Sequence, residues 1–531
     1  MIKKSLFFTL ALIALNGFAQ DGALPTIVPE TDANLSTLTA RAGTTRYQYV
    51  TGFGAAACFG AMEPIRDTNV IDSLYGPKSR VGLNIVRMEI SPNTIGDVTT
   101  PWDTPYDWHG YLPVTMRAEE YGAVIFGRPW SPPAAFKANG SASGGQTTDE
   151  NGNVGGERGK LKPTKYKDFF PWLNTYLTYM KNNGVDIDAV ALQNEPDWWV
   201  NYSGCLYTPE ELHDLVVEYA SRLNRSKFNV KLISGESLNF TPAYSDALLD
   251  DSASAKHIDI LGGHLYGNPP LKNMKTVATK ALKMGKETWM TEHSFDPRGE
   301  GANRVRDLPT WDEERLCAEE VSESMQANCS AYIYWYMMAH WSFVGNGDST
   351  IQPGNDKGKV LRRGLIMSHF AKHLTGATRI SHSSNVSQVT NAAFETSAYI
   401  KGDSLIMMAI LTKDKDFNLK FTLPYNILGG KRILSTEDKL LAEAELQIDE
   451  PTKEVTFRMP AKSIATYIFK IENPETAIEE VENTSAQTTE RISSDDAYYN
   501  LNGQRVTTTT MGQGRAQGKG LYIHKGKLVI R

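Results

Sequence analysis

Along the first two thirds of the chain, short apolar runs alternate with longer stretches whose apolar residues fall at helical spacing. The runs are Asn84-Ile-Val-Arg-Met-Glu-Ile90, Ala123-Val-Ile-Phe-Gly127, Val190-Ala-Leu-Gln193, Lys231-Leu-Ile-Ser234, Ile258-Asp-Ile-Leu-Gly-Gly263, Thr288-Trp-Met-Thr291 and Ala331-Tyr-Ile-Tyr334. Each is too short for a core helix and reads as a buried strand. A first strand near Tyr47, ending at Thr51-Gly-Phe-Gly-Ala55, brings the number to eight.

The intervening stretches carry helix signals. Thr208-Pro-Glu-Glu211 combines an N-cap, a proline at the first helical position and a capping-box glutamate, and Leu212, Leu215, Val216, Tyr219 and Leu223 follow at helical spacing. Phe169, Leu173, Tyr176, Leu177 and Met180 line one face of another helix that stops near Gly184. Eight strands alternating with helices predict a (β/α)8 TIM barrel over residues 47–377. A doubly wound open sheet is the alternative, but no Gly-rich phosphate loop follows any of the runs.

From Thr378 the period shortens to two, as in Ser404-Leu-Ile-Met-Met-Ala-Ile410, Glu454-Val-Thr-Phe-Arg-Met459 and Ala465-Thr-Tyr-Ile-Phe-Lys-Ile471. That pattern predicts an antiparallel β-sandwich side domain over 378–471, joined by the N-terminal segment 20–46. Residues 472–496 are acidic, rich in Thr, Ser and Asn, and read as a linker. A final segment, 497–531, holds hairpin-like Asn-Gly and Lys-Gly turns and is too short for a core of its own.

Composition narrows the class of partner. The 531 residues are 41% hydrophobic with a formal net charge of −6, which gives no basic field for nucleic acid and no polybasic patch for a membrane surface. Residues 1–19 read as a signal peptide: Lys3 and Lys4, an apolar run to Leu15, then Gly17-Phe-Ala19. No later stretch is long and apolar enough to span a bilayer. Cys58, Cys205, Cys317 and Cys329 lack metal-ligand spacing and are expected to be buried free thiols. Asp149-Glu-Asn-Gly-Asn153 lacks the glycine and terminal glutamate of a calcium loop.

In a parallel barrel the strand C-termini form the functional face, which selects Arg87, Trp130, Asn194, Glu195, His264, Tyr266, Glu292 and Trp335. Glu195 and Glu292 lie about three strand-plus-helix units of roughly 30 residues apart, so they can face each other across one mouth. Cleaving a glycosidic bond needs a proton for the leaving oxygen and electron density for the anomeric carbon, tasks that two carboxyls in different surroundings divide. Glu195, beside Trp198 and Trp199, suits the acid. Glu292 suits the nucleophile, with Arg87 and Tyr266 keeping it ionised. Asn194 would bind the sugar 2-hydroxyl, and Trp130 or Trp335 would stack on sugar faces. This chemistry calls for no metal or cofactor.

Several motifs in order, Trp130-Ser-Pro-Pro-Ala134, Gln193-Asn-Glu-Pro-Asp-Trp198, Ser203-Gly-Cys205, Gly235-Glu-Ser-Leu-Asn-Phe240, Gly262-Gly-His-Leu-Tyr-Gly267, Trp289-Met-Thr-Glu-His293 and Arg363-Gly-Leu-Ile-Met-Ser368, resemble glycoside hydrolase family 30, above all its bacterial glucuronoxylanase subfamily. The resemblance runs from about Tyr47 to Ile471. It implies the barrel with its side domain, a retaining double displacement with acid/base Glu195 and nucleophile Glu292, and a xylan substrate cut internally. It also implies that Arg363 grips a 4-O-methylglucuronate branch. The tyrosine that assists this arginine in the subfamily is replaced by Leu365, which removes one hydrogen bond to the branch.

The loops 139–162 and 344–361 look longer than the family pattern, which opens exo-like or short-product cleavage as an alternative. A xylobiohydrolase, a β-1,6-glucanase or a glucosylceramidase-like activity, and a glycan-binding protein on a degenerate barrel, are the other readings. Tyr499-Asn-Leu-Asn-Gly-Gln504 and Gly520-Leu-Tyr-Ile523 resemble the sorting segments of type IX secretion substrates. The expected location is therefore the cell surface or medium, with the periplasm as alternative.

Overall fold

The computed structural model describes residues 24–58, 68–93, 107–146, 158–266, 270–295, 309–339, 341–347, 356–386 and 394–472, and four short strands beyond residue 497. The signal-peptide reading, Asp149–Asn153 and the linker after Glu472 fall outside them. Strands β1 (Thr26–Ile27) and β2 (Thr37–Tyr49) come first. Eight parallel strands follow: β3 (Gly52–Ala57), β4 (Ile85–Glu89), β5 (Val124–Arg128), β6 (Ala189–Asn194), β7 (Lys231–Glu236), β8 (Ile260–His264), β9 (Glu287–His293) and β10 (Ala331–Tyr334). Ladders join each strand to the next, and β10 returns to β3 through Ala331 opposite Gly52, which closes the barrel.

Ile85, Phe126, Ala191, Ile233, Ile260, Trp289 and Ile333 fill the barrel interior as a packed core. The helix Pro209–Tyr219 starts at Thr208 with both capping-box bonds in place. The helix Tyr166–Asn182 buries Phe169, Leu173, Tyr176, Leu177 and Met180 against the barrel. All four cysteines are buried and free. Among the described residues, no helix is long and apolar enough to cross a membrane.

The first barrel strand begins later than the sequence pattern predicts. Tyr47 lies in β2, which pairs with the side sheet, and the barrel starts at Gly52. The switch is fixed by Asn84, whose side chain accepts from the Phe53 amide at 2.9 Å and donates to the Thr51 carbonyl at 3.0 Å. A Cβ on Gly52 would lie 1.9 Å from that side chain, so only glycine fits.

The side sheet holds β11 (Thr378–Ser384), β12 (Phe394–Lys401), β13 (Ser404–Leu411), β14 (Phe417–Ser435), β15 (Ala442–Leu446), β16 (Thr452–Met459) and β17 (Ser463–Ile471), together with β1 and β2. It is antiparallel except where β1 meets β15 and β2 meets β14. The long β14 makes it two-layered. Its first half pairs with β16 and β2, its second half with β15 and β17. Between the layers Leu405, Met407, Leu419, Phe421, Phe457, Tyr467 and Phe469 form a separate core. The opposite face of β13, through Ile406, Met408 and Ile410, joins the core under the barrel helices.

Residues 473–531 form a second unit, with β18 (Tyr498–Tyr499), β19 (Arg505–Val506), β20 (Leu521–His524) and β21 (Lys527–Ile530) in one antiparallel sheet.

Candidate active site

Local irregularities aim both glutamates. β6 ends at Asn194, and Glu195 takes a left-handed conformation with φ of 44° before Pro196, which cannot extend the ladder. The Glu195 amide donates to the Glu236 carbonyl at 2.8 Å, fixing the departure from the sheet. In β9 the register slips near Thr291 against both neighbours, so His264 faces Glu292 and Tyr334 faces His293. A bulge of this kind turns a side chain toward the mouth. Gly263 is forced by its neighbour, since a Cβ there would meet the Phe240 ring at 2.5 Å.

Arg87, in the middle of β4, joins the parts. Its Nη1 pairs with Glu292 Oε2 at 2.5 Å, while its Nη2 reaches Asn194 Oδ1 at 3.0 Å and His264 Nε2 at 3.1 Å. Tyr266 donates to Glu292 Oε1 at 3.1 Å, and His264 Nδ1 lies 2.9 Å from Glu195 Oε1. Atoms of Glu195, His264 and Glu292 lie within 4.8 Å of one another, so the two carboxyls face each other closely. Three such donors can suit a cation. Here, however, Arg87 and Arg128 already pair with Glu292, and both His264 nitrogens are engaged, so the set does not fit a metal.

Two residues that the sequence reading passed over complete the charge balance. Arg128, the last residue of β5, contacts Glu292 Oε2 at 3.2 Å and Glu236 Oε2 at 3.1 Å. Glu236, the last residue of β7, also lies 3.7 Å from Arg87 Nη2, and all three of these side chains are fully buried or nearly so. Each is a charge at the end of an otherwise apolar run, and that was the signal available in the sequence.

The two carboxyls are driven apart. Burial pushes Glu195 well above the usual carboxylate range, and the nearby charge of Glu292 adds to it. Burial also opposes the charge on Glu292, but the guanidiniums of Arg87 and Arg128 outweigh it and hold that carboxyl below the usual range. Burial and the two guanidiniums push His264 far below its ordinary value, so it is neutral and the arginines do the holding.

Several expected substrate contacts lie elsewhere. Trp130 is 3% exposed, with the Arg128 guanidinium over its ring and Trp335 at 5.6 Å, so it supports the site and offers no free face for stacking. Trp335 is partly exposed at the mouth. His264 is fully buried and touches Glu195, which makes it a positioning residue and not a sugar contact. Trp198 and Trp199, expected to dry Glu195, are half exposed; Glu195 is instead buried by its own place in the barrel.

Arg363 requires the plainest correction. It lies in the helix Arg362–Leu374, is 2% exposed, and pairs with Glu314 at 2.9 Å. Its Nη1 donates to Phe295 O, Tyr334 Oη and Trp341 O. A guanidinium so enclosed has no reach to a uronate in the cleft, because Glu314 already supplies its counter-charge. Leu365, at the position of the assisting tyrosine, is likewise buried.

Two facing carboxyls of divergent acidity at the C-terminal mouth of a (β/α)8 barrel define a glycoside hydrolase. No family model matches the chain. The glucuronoxylanase XynC of Bacillus subtilis is 26% identical over 401 residues, 74% of this chain and 82% of that protein. Among solved structures, the family 30 subfamily 8 xylanase Xyn30A of Clostridium acetobutylicum matches with TM-score 0.64 and 27% identity, over 82% of this chain and 99% of its own. A family 30 endoxylanase of Clostridium papyrosolvens matches with TM-score 0.63, 26% identity, and coverage of 82% and 100%. The chain is thus similar in sequence and in fold to family 30 xylanases.

Proposed function

We propose that the protein cleaves β-1,4-xylan by retaining double displacement, with Glu195 as acid/base and Glu292 as nucleophile. The observation that carries this reading is the pair of carboxyls, one pushed up and one held down, with oxygens inside 4.8 Å. Retaining enzymes keep their carboxyls about 5–5.5 Å apart, whereas inverting ones need room for a water. Glu292 Oε2 is loaded by two arginines, so Oε1, held by the Tyr266 hydroxyl, is the freer atom for attack on the anomeric carbon. Arg87 takes Asn194 by its Oδ1, which leaves the amide Nδ2 for the sugar 2-hydroxyl.

The names of the relatives, a glucuronoxylanase and two xylanases, support xylan as the substrate. Trp198, Trp199 and Tyr202 stand 40–51% exposed on the segment after the acid, where the leaving part of the chain would depart. Their apolar faces suit sugar rings there, which supports cleavage within the polymer. Arg363 is enclosed by Glu314, Phe295 O, Tyr334 and Trp341 O, and so supplies no grip on a glucuronate branch.

Product analysis on glucuronoxylan, unbranched xylan, arabinoxylan and β-1,6-glucan tests the substrate. Comparable oligosaccharide release from the xylans, and none from β-1,6-glucan, is expected. Release from glucuronoxylan alone would restore branch dependence, and release from β-1,6-glucan alone would replace the substrate. Residues 1–19 and the final segment support export to the surface or medium, which cell fractionation before and after deletion of residues 497–531 would test.

A further inference from the structure

The hydrogen-bond chain from Arg87 through His264 to Glu195 fixes where one proton sits. A guanidinium only donates, and Arg87 Nη2 carries two hydrogens. It has two acceptors within reach, Asn194 Oδ1 at 3.0 Å and His264 Nε2 at 3.1 Å. His264 Nε2 therefore presents its lone pair, and a neutral ring must carry its proton on Nδ1. An imidazolium would place a further positive charge, fully buried, against Arg87 and Arg128. Nδ1–H then donates to Glu195 Oε1 at 2.9 Å.

We propose that His264, locked by Arg87 as the Nδ1–H tautomer, keeps Oε1 of Glu195 as an acceptor and so confines the acid proton to Oε2. The proposal rests on the reading of Glu195 as the acid. In the first step the Oε2–H bond breaks and its proton goes to the glycosidic oxygen. That oxygen takes the electron pair of the breaking C–O bond, while a Glu292 oxygen forms the new bond to carbon. In the second step the oxygen of a water bonds to the anomeric carbon, the bond from that carbon to Glu292 breaks with its electron pair returning to the carboxylate, and Oε2 takes the proton of the water. His264 moves no proton in either step. Its Nδ1–H holds the same oxygen throughout, so the acid lobe faces the leaving oxygen in every turnover.

The first test needs no substrate. In full-length protein carrying ¹⁵N-histidine, assigned by loss of signals in His264→Asn, His264 should show a protonated Nδ1 and an unprotonated Nε2. A protonated Nε2, or two protonated nitrogens, overturns the proposal. The second test separates His264 from a merely structural residue. His264→Ala should lower kcat/KM on xylo-oligosaccharides by roughly 100-fold, within the range for misplacing a general acid. The loss on an aryl xyloside with an acidic phenol, which needs little protonation, should be about tenfold smaller. The alkaline limb should also move upward as Glu195 loses its donor.

His264→Asn, whose amide can occupy the Nδ1 position, should recover about tenfold of the loss on oligosaccharides, and His264→Gln should recover little. Equal losses on both substrates with unmoved limbs would overturn the proposal. Full activity of Glu195→Gln on xylan would instead remove the underlying assignment, whatever the tautomer.

Discussion

Arg87 sits where the needs of the two glutamates meet. It holds Glu292 ionised and turns both Asn194 and His264 toward the mouth. The proposed mechanism needs Glu292 charged and Glu195 protonated, so it predicts a pH profile that is a broad bell. Its acid limb is set by the depressed Glu292 and its alkaline limb by the raised Glu195. Arg128→Met removes one of the two guanidiniums on Glu292 and should raise the acid limb by about one pH unit, leaving the alkaline limb near its place. An unmoved acid limb would show that Arg87 suffices.

Arg363→Ala belongs to a different kind of experiment. It strips a buried Glu314 of its partner and should cost roughly 3–5 kcal/mol in urea unfolding. Its remaining activity on glucuronoxylan and on unbranched xylan should fall by the same factor. A selective loss on glucuronoxylan would return Arg363 to the cleft. This residue also marks the limit of motif reading. Arg363-Gly-Leu-Ile-Met-Ser368 matches in order and type, but no residue pattern tells whether a guanidinium faces a cleft or an acid on the neighbouring helix. Glu195 and Glu292 were legible because strand ends in a parallel barrel converge by construction, whereas Arg128 and Glu236 stand just past the runs 123–127 and 231–234, where a lone charge reads equally well as a structural ion pair.

At the scale of elements, the loops that flank the site are tied together by a buried lysine. Lys137 Nζ donates to Ala142 O and Ser143 O within its own loop and to Gly204 O in the loop that carries Trp198 and Tyr202. Lys137→Met keeps the aliphatic stem but removes a charged donor from three carbonyls, of which Ala142 O still accepts from Gly204 N and Ser143 O from Asn139 Nδ2, a cost of roughly 1–3 kcal/mol. The aromatic segment would lose its anchor. Faster limited proteolysis near residues 198–204 and a higher KM for long xylan, with kcat changed less, are expected. An unaltered cleavage pattern would show that the remaining contacts, Gly144 N to Tyr202 O, Gly204 N to Ala142 O and Ser143 Oγ to Asn201 O, hold the loops without the lysine. The strand pattern predicted the elements themselves well. It misplaced the first one because β2 and β3 differ in which sheet they join, and Asn84, outside both, makes that choice.

At the scale of the molecule, the barrel helix Trp311–Gln326 meets the side sheet through polar contacts. Trp311 Nε1 donates to Lys462 O at 2.7 Å, and Gln326 Nε2 donates to the buried Glu395 at 2.6 Å. Burial there raises Glu319 to about 7, with Glu323 adding to it and Arg315 opposing. The folded protein thus holds a proton on Glu319 that the unfolded chain releases above about 4.5. The stability from this proton is full below that value and declines as pH rises toward 7. Glu319→Gln should flatten the decline by about 1–3 kcal/mol between pH 4.5 and 7.5. Urea unfolding at several pH values would read it, and an unchanged slope would show that Glu319 does not hold this proton.

The placement of β2 in the side sheet has a consequence for biosynthesis. Its antiparallel partner β11 begins about 330 residues further along, with the whole barrel between them. At ribosomal speeds of about 5–20 residues per second, this strand waits on the order of 20–60 s with an unsatisfied edge. Arg41, Arg46 and the threonines that interrupt it are residues that discourage a solitary strand from pairing with a stranger. The nascent polypeptide thus completes its catalytic half before it can fasten its own beginning to its end.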